Sequence, residues 1–203
     1  MYKTKEIRWF FKTENTQIQN WFKNHELNAS NIREDLYLQL NDENIGVKLR
    51  DGAIEVKHRT RARSKGCLIT DVWGCFEHWT KWSFEAKSDD PVLLQITQGI
   101  YERWISVEKE RLALQLTEIN GKTKLFSLSQ SLDYGCQIEY TKLKIMGEKW
   151  YTFGLEWFGN THMELETSLI SQILGNTKLS IKDSISYPAF LSAQENLSYK
   201  TLP

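Results

Sequence analysis

The stretch Val47–Arg61 (VKLRDGAIEVKHRTR) constrains the fold more than any other, because it sorts its charges by face. Asp51-Gly52 is a strong two-residue hairpin signal, since both turn positions tolerate positive φ. Folding the stretch about that turn sets Arg50 opposite Ala53, Leu49 opposite Ile54, Lys48 opposite Glu55 and Val47 opposite Val56. Side chains alternate along a strand, so Lys48, Arg50, Glu55, Lys57, Arg59 and Arg61 share one face. Val47, Leu49, Ile54, Val56 and His58 share the other. One face packs on something apolar, while the other gathers five cations around one carboxylate. Such a face is either solvated or built to hold an anion.

The rest of the chain repeats this pattern. Lys5–Phe11 reads as a strand with Glu6, Arg8 and Phe10 on one face. A helix is expected from about Thr16 to Glu26, with Thr16-x-x-Gln19 as a capping box and Ile18, Trp21 and Phe22 as its apolar face. Asp35–Leu40 reads as a strand, Arg61–Gly66 as a solvated basic loop, and Leu68–Cys75 gives no clear signal. Thr80–Lys87 alternates cleanly, Ser88–Pro91 is a loop, and Val92–Ile100 suits a helix or a strand. Strands follow at Trp104–Leu116 and Lys124–Leu128, joined through Asn120-Gly121. Gln137–Ile145 and Lys149–Trp157 form a third hairpin across Met146-Gly147-Glu148. Met163–Leu174 reads as a helix stopped by Gly175. The tail after about residue 186 is expected to be mostly irregular. About eight strands with turns predict an α+β chain, mainly antiparallel β, closed or nearly closed into a barrel with flanking helices.

Bulk composition excludes several classes. The 203 residues suit one domain, and 26 basic against 26 acidic residues argue against a surface devoted to nucleic acid or membrane. No apolar run approaches the roughly 20 residues needed to span a bilayer, and the charged start MYKTKEIRWFFK does not read as a signal peptide. Three widely spaced cysteines and four scattered histidines suggest neither disulfides nor zinc. A cytoplasmic location is the expectation.

Charged faces recur as Glu6/Arg8, Lys48/Arg50, Glu55/Lys57/Arg59, Lys81/Glu85, Lys109/Arg111, Glu139 and Glu156. In an open sheet they would be the wet face. In a closed barrel they would line a lumen that water, counter-charge or a polyanion must fill. A triphosphate suits such a lumen, because Arg and Lys meet its oxygens from several walls.

These residues resemble the CYTH or triphosphate-tunnel superfamily, over about Lys5–Leu174. Val47-Lys48-Leu49-Arg50 and Glu55-Val56-Lys57 match its Arg-rich hairpin in spacing, and Lys109-x-Arg111 is similar to its later basic strand. Gln137-Ile-Glu139 and Gly154-Leu-Glu156 resemble its late acidic strands. The resemblance implies a single tunnel domain over 1–203 that binds a polyphosphate, nucleotide or other organic phosphate. It further implies Mg²⁺ or Mn²⁺ and a metal-dependent phosphohydrolase reaction. On that reading Glu6, Glu139 and Glu156 would be the metal-binding and catalytic carboxylates. Arg8, Lys48, Arg50, Lys57, Arg59, Lys81, Lys109 and Arg111 would clamp phosphate. The family's first strand reads Glu-x-Glu-x-Lys, and this chain has Glu6-Ile7-Arg8-Trp9-Phe10. Only the first position matches, so a cation replaces one acid, which weakens metal binding while still favouring phosphate.

The alternative is non-catalytic RNA binding through hairpin 47–65, which holds seven cations. Its charged face carries no aromatic for base stacking, which counts against nucleic acid. Sugar binding on tryptophan platforms is weaker still, since Trp9, Trp82 and Trp157 fall in the apolar phase and only Trp79 and Trp150 share the charged one.

Overall fold

The computed structural model describes residues 1–25, 31–85, 87, 89–100, 103–161 and 163–198, with the side chains of residues 31 and 195–198 outside that description. β1 (Tyr2–Phe11) leads to α1 (Thr16–Lys23), β2 (Asn31–Leu38), β3 (Ile45–Arg50), β4 (Ala53–Arg59), β5 (Ser64–Ile69), β6 (Val72–Glu85) and α2 (Pro91–Thr97). Then come β7 (Trp104–Ile119), β8 (Lys122–Phe126), β9 (Gly135–Ile145), β10 (Glu148–Phe158), α3 (Thr167–Leu174) and α4 (Tyr187–Ser198).

Eight strands close into an antiparallel barrel in the order β1-β10-β9-β7-β2-β3-β4-β6, with β6 returning to β1. Closure falls to the two edges of β1, whose pairings overlap at Thr4–Glu6. Its Thr4–Phe11 segment pairs with β10, while Tyr2–Glu6 pairs with β6. β5 pairs with the first residues of β6 and β8 with the last of β7, so both lie off the ring. The hairpin register is the expected one, with Lys48 opposite Glu55 and Val47 opposite Val56. Asp51 and Gly52 both take positive φ, 48° and 74°, as the tight turn requires.

The outward faces of the strands carry the helices. Ile7 and Trp9 of β1, Leu114 and Leu116 of β7, Ile138 of β9 and Phe153 of β10 pack under Ile18 and Phe22 of α1 and Ile170 and Ile173 of α3. On the far side, Leu93 and Ile96 of α2 cover Leu36, Leu49 and Ile54. α1 is capped by Asn15, whose Oδ1 accepts from the Ile18 amide at 3.0 Å, one residue ahead of the expected box. The ambiguous Val92–Ile100 segment is helical because Asp90 caps it, accepting from Val92 and Leu93, and Pro91 suits the first turn. The unclear Leu68–Cys75 region and part of the basic loop form the β5–β6 hairpin instead. The expected helix end at Glu26, Ala86 at the end of its strand, and Ser88 lie outside the described residues.

The tail corrects the sequence reading. Instead of running irregularly after about residue 186, it forms α4, with Tyr187, Ala189, Phe190 and Leu191 buried. Pro188 reads as a breaker, yet at the second helical position its missing N–H has no partner to lose. Phe10, Tyr37, Ile105, Val107, Leu143 and Ile145 continue the inward phase of their strands and form one cluster with Tyr187, Phe190 and Leu191. Phe190 stacks on Phe10 at 4.0 Å, and Tyr187 stacks on Tyr37 at 5.5 Å. One end of the barrel is thereby filled with apolar side chains. Phe190→Ala should lower stability by about 3–5 kcal/mol, read as a fall in the urea midpoint, whereas a peripheral helix would lose almost nothing.

Candidate anion-binding site

Because the barrel closes, the charged phase of each strand turns inward. β1 contributes Glu6 and Arg8, β2 Arg33 and Tyr37, and the β3–β4 hairpin Lys48, Arg50, Glu55 and Lys57. β6 adds Lys81, β7 Lys109 and Arg111, β9 Gln137, Glu139 and Thr141, and β10 Glu156. Tyr187 and Pro188 of α4 border the cavity at its filled end. Gly46 leaves room there, since a Cβ on it would lie 2.9 Å from Pro188 Cγ. The cavity measures about 180 Å³, space for on the order of ten waters.

Eight cationic side chains and four carboxylates line this space. A fifth carboxylate, Asp35, is wholly buried in the wall. Arg50 grips it with two hydrogen bonds, Nε to Oδ1 and Nη2 to Oδ2, each 2.7 Å. Lys109 Nζ stands 2.7 Å from Oδ2 and Arg33 Nε 3.4 Å from Oδ1. Burial opposes the Asp35 charge, but the Arg50 hydrogen bonds and the Lys109 charge hold its carboxyl far below the usual range. Glu55 is a second hub, with Lys48 at 2.8 Å and Lys81 and Arg50 both at 3.5 Å. Glu139 is the third, with Arg8 at 2.5 Å and Arg111 at 2.7 Å.

Cations outnumber carboxylates around the cavity, and burial acts most strongly on two of the lysines. Burial, followed by repulsion from Arg50, lowers Lys48 to about 7 despite Glu55 beside it. Burial pulls Lys109 well below its ordinary value too, against the attraction of Asp35.

The carboxylates of β6, β1 and β10 form a row. Glu6 lies directly opposite Glu77 on one side and Glu156 on the other. Like charges so opposed repel, and each finds its own solution. Burial disfavours the Glu6 charge, but Lys57 at 3.1 Å and Arg8 bring its carboxyl below normal. Glu77 takes Arg59 at 2.9 Å. Glu156 has no ion pair among the described residues, and burial with Glu6 as neighbour raises it.

The expected site residues divide accordingly. Glu6, Arg8, Lys48, Arg50, Lys57, Lys81, Lys109, Arg111, Glu139 and Glu156 meet around one cavity. Arg59 stands apart from it, occupied by Asn44, Glu43 and Glu77 and lying over Trp79. Trp79 is buried, and Trp150 meets Phe190 edge-on, so neither is a platform. Sequence reasoning missed Asp35, Arg33 and Glu77. Arg33, Asp35 and Tyr37 alternate as the other inward residues do, but starting that strand at Asp35 hid the series. Glu77 sat beyond the unclear stretch.

A divalent metal fits these residues poorly. Both Glu139 oxygens are held by arginines, and Arg8 lies between Glu139 and the Glu6–Glu156 pair. No group of three His, Cys, Asp or Glu among the described residues is arranged to hold a metal. No protein-family model matches the chain, and no curated protein matches it.

Asp35→Asn would leave buried Arg50 and Lys109 short of their counter-charge. A loss of about 3–5 kcal/mol is expected, measured by urea unfolding, with a negligible change counting against Asp35 as the hub.

Proposed function

We propose that this protein binds a polyphosphate or an organic phosphate inside the barrel. The observation that carries the reading is the excess of three cations over carboxylates around the cavity, Asp35 included. A buried surplus of like charge is costly unless an anion relieves it. Phosphate oxygens suit the lysines as point charges and the arginines as forked donors.

Two points narrow the reading. The hairpin cations Lys48, Arg50 and Lys57 line the cavity instead of the outer surface, which weighs against the RNA alternative. The carboxylates offer a poor metal-ligand set, so binding is better supported than metal-dependent hydrolysis.

Tripolyphosphate at about a 100-fold excess over its Kd should stabilise the protein by about 2.7 kcal/mol, seen as a raised Tm. The Arg50→Glu exchange should abolish that response. No shift and no heat of binding with either tripolyphosphate or ATP would remove the reading. Affinity should also follow Lys48. Sulfate stays a dianion from about pH 6 to about pH 9, so its binding should weaken as pH rises and Lys48 loses its proton near 7. Lys48→Arg should flatten the titration.

A further inference from the structure

We infer that Arg8, Arg111 and Thr141 form a subsite for one phosphate group that needs no divalent metal. The inference rests on the phosphate reading and confines it to one wall of the barrel. Arg8 lies opposite Gly154 on β10, and Gly154 lies opposite Glu139 on β9. A Cβ at Gly154 would fall 2.7 Å from Arg8 Cζ, so the missing side chain is what lets the guanidinium cross β10 and reach Glu139. Arg111 lies opposite Thr141, and Thr141 opposite Thr152, which accepts from Arg8 Nη1 at 3.1 Å. Glu139 receives one arginine on each oxygen, at 2.5 and 2.7 Å, and holds both in place.

The donors that remain point to a ligand. Among the described residues, Arg8 donates only through Nη1 and Arg111 only through Nε. Arg8 Nε and Nη2, and both Nη atoms of Arg111, are left for the cavity these residues line. Thr141 supplies the independent sign. It lines the cavity, is 1% exposed, and its hydroxyl has no hydrogen-bond partner among the described residues. A buried hydroxyl without a partner calls for an explanation. A tetrahedral oxyanion would accept from it and from two arginine forks together. A divalent ion at this place would have to displace an arginine from Glu139.

The test is calorimetry of the full chain with tripolyphosphate, in EDTA and again with Mn²⁺, on the natural protein, Thr141→Val and Thr141→Ser. Urea midpoints run alongside. Binding in EDTA is expected, with no gain from Mn²⁺. Thr141→Val should weaken it about ten-fold without lowering the urea midpoint, because no described residue uses the hydroxyl. Thr141→Ser should bind as the natural chain does. If the valine variant fails to fold, Arg111→Lys serves in its place, keeping the charge and losing the fork, with the same ten-fold loss expected. Binding that requires Mn²⁺ overturns the metal-free subsite and leaves the phosphate reading standing. Unchanged affinity in Thr141→Val overturns the subsite's location. Silence in both media overturns the phosphate reading and the subsite with it.

Discussion

A carboxylate with no access to water and three cations within 3.4 Å, Asp35, sets the terms on which this barrel can close. Its partners come from β2 itself, from β3 and from β7, the two strands beside it in the ring. Desolvating one carboxylate and three bases is expensive, and only good geometry repays it. The paired hydrogen bonds from Arg50 are of that kind. A wall so arranged resists slippage of β2 by one residue, because a slip would turn Arg33 and Asp35 outward and leave Arg50 and Lys109 without their shared carboxylate.

The same economy governs the other two hubs. Glu55 and Glu139 each serve more than one cation, so the wall holds together with fewer negative charges than positive ones. Glu156 is raised by burial and by its neighbour Glu6. The surplus is what the proposed anion binding rests on. Burial first, and repulsion from neighbouring cations second, depress Lys48 and Lys109, and several donors of Arg8 and Arg111 have no partner among the described residues. α4 fills one end with aromatic and aliphatic groups, so water can reach these charges only from the rest of the cavity.

Much of this was legible beforehand. The Asp51-Gly52 turn and period-2 alternation placed Lys48 against Glu55, and ten of the eleven expected site residues line the cavity. What escaped had physical causes. Asp35 and Glu77 sit where strand ends were misjudged, and such ends carry weak local signals. Arg59 alternates in phase with Lys57 but lies beyond the cavity, among Glu43, Asn44 and Glu77. Thr141 is a neutral residue in a strand, indistinguishable by type from a packed one. The helical tail was hidden by Pro188, whose effect depends on whether it falls in a first turn or an interior one.

The sequence by itself determined which side chains share a face, because alternation along a strand is a local consequence of backbone geometry. It also determined the tight turns, where only a few residue types accept positive φ. It could not say whether the charged faces were wet or enclosed. That depended on β1 pairing with β6 across more than 70 residues of chain, a contact with no local signature. Only tertiary structure decided which charges meet. Glu139 finds Arg8 because Gly154 between them has no side chain, and that coincidence of three strands is invisible until the barrel is closed.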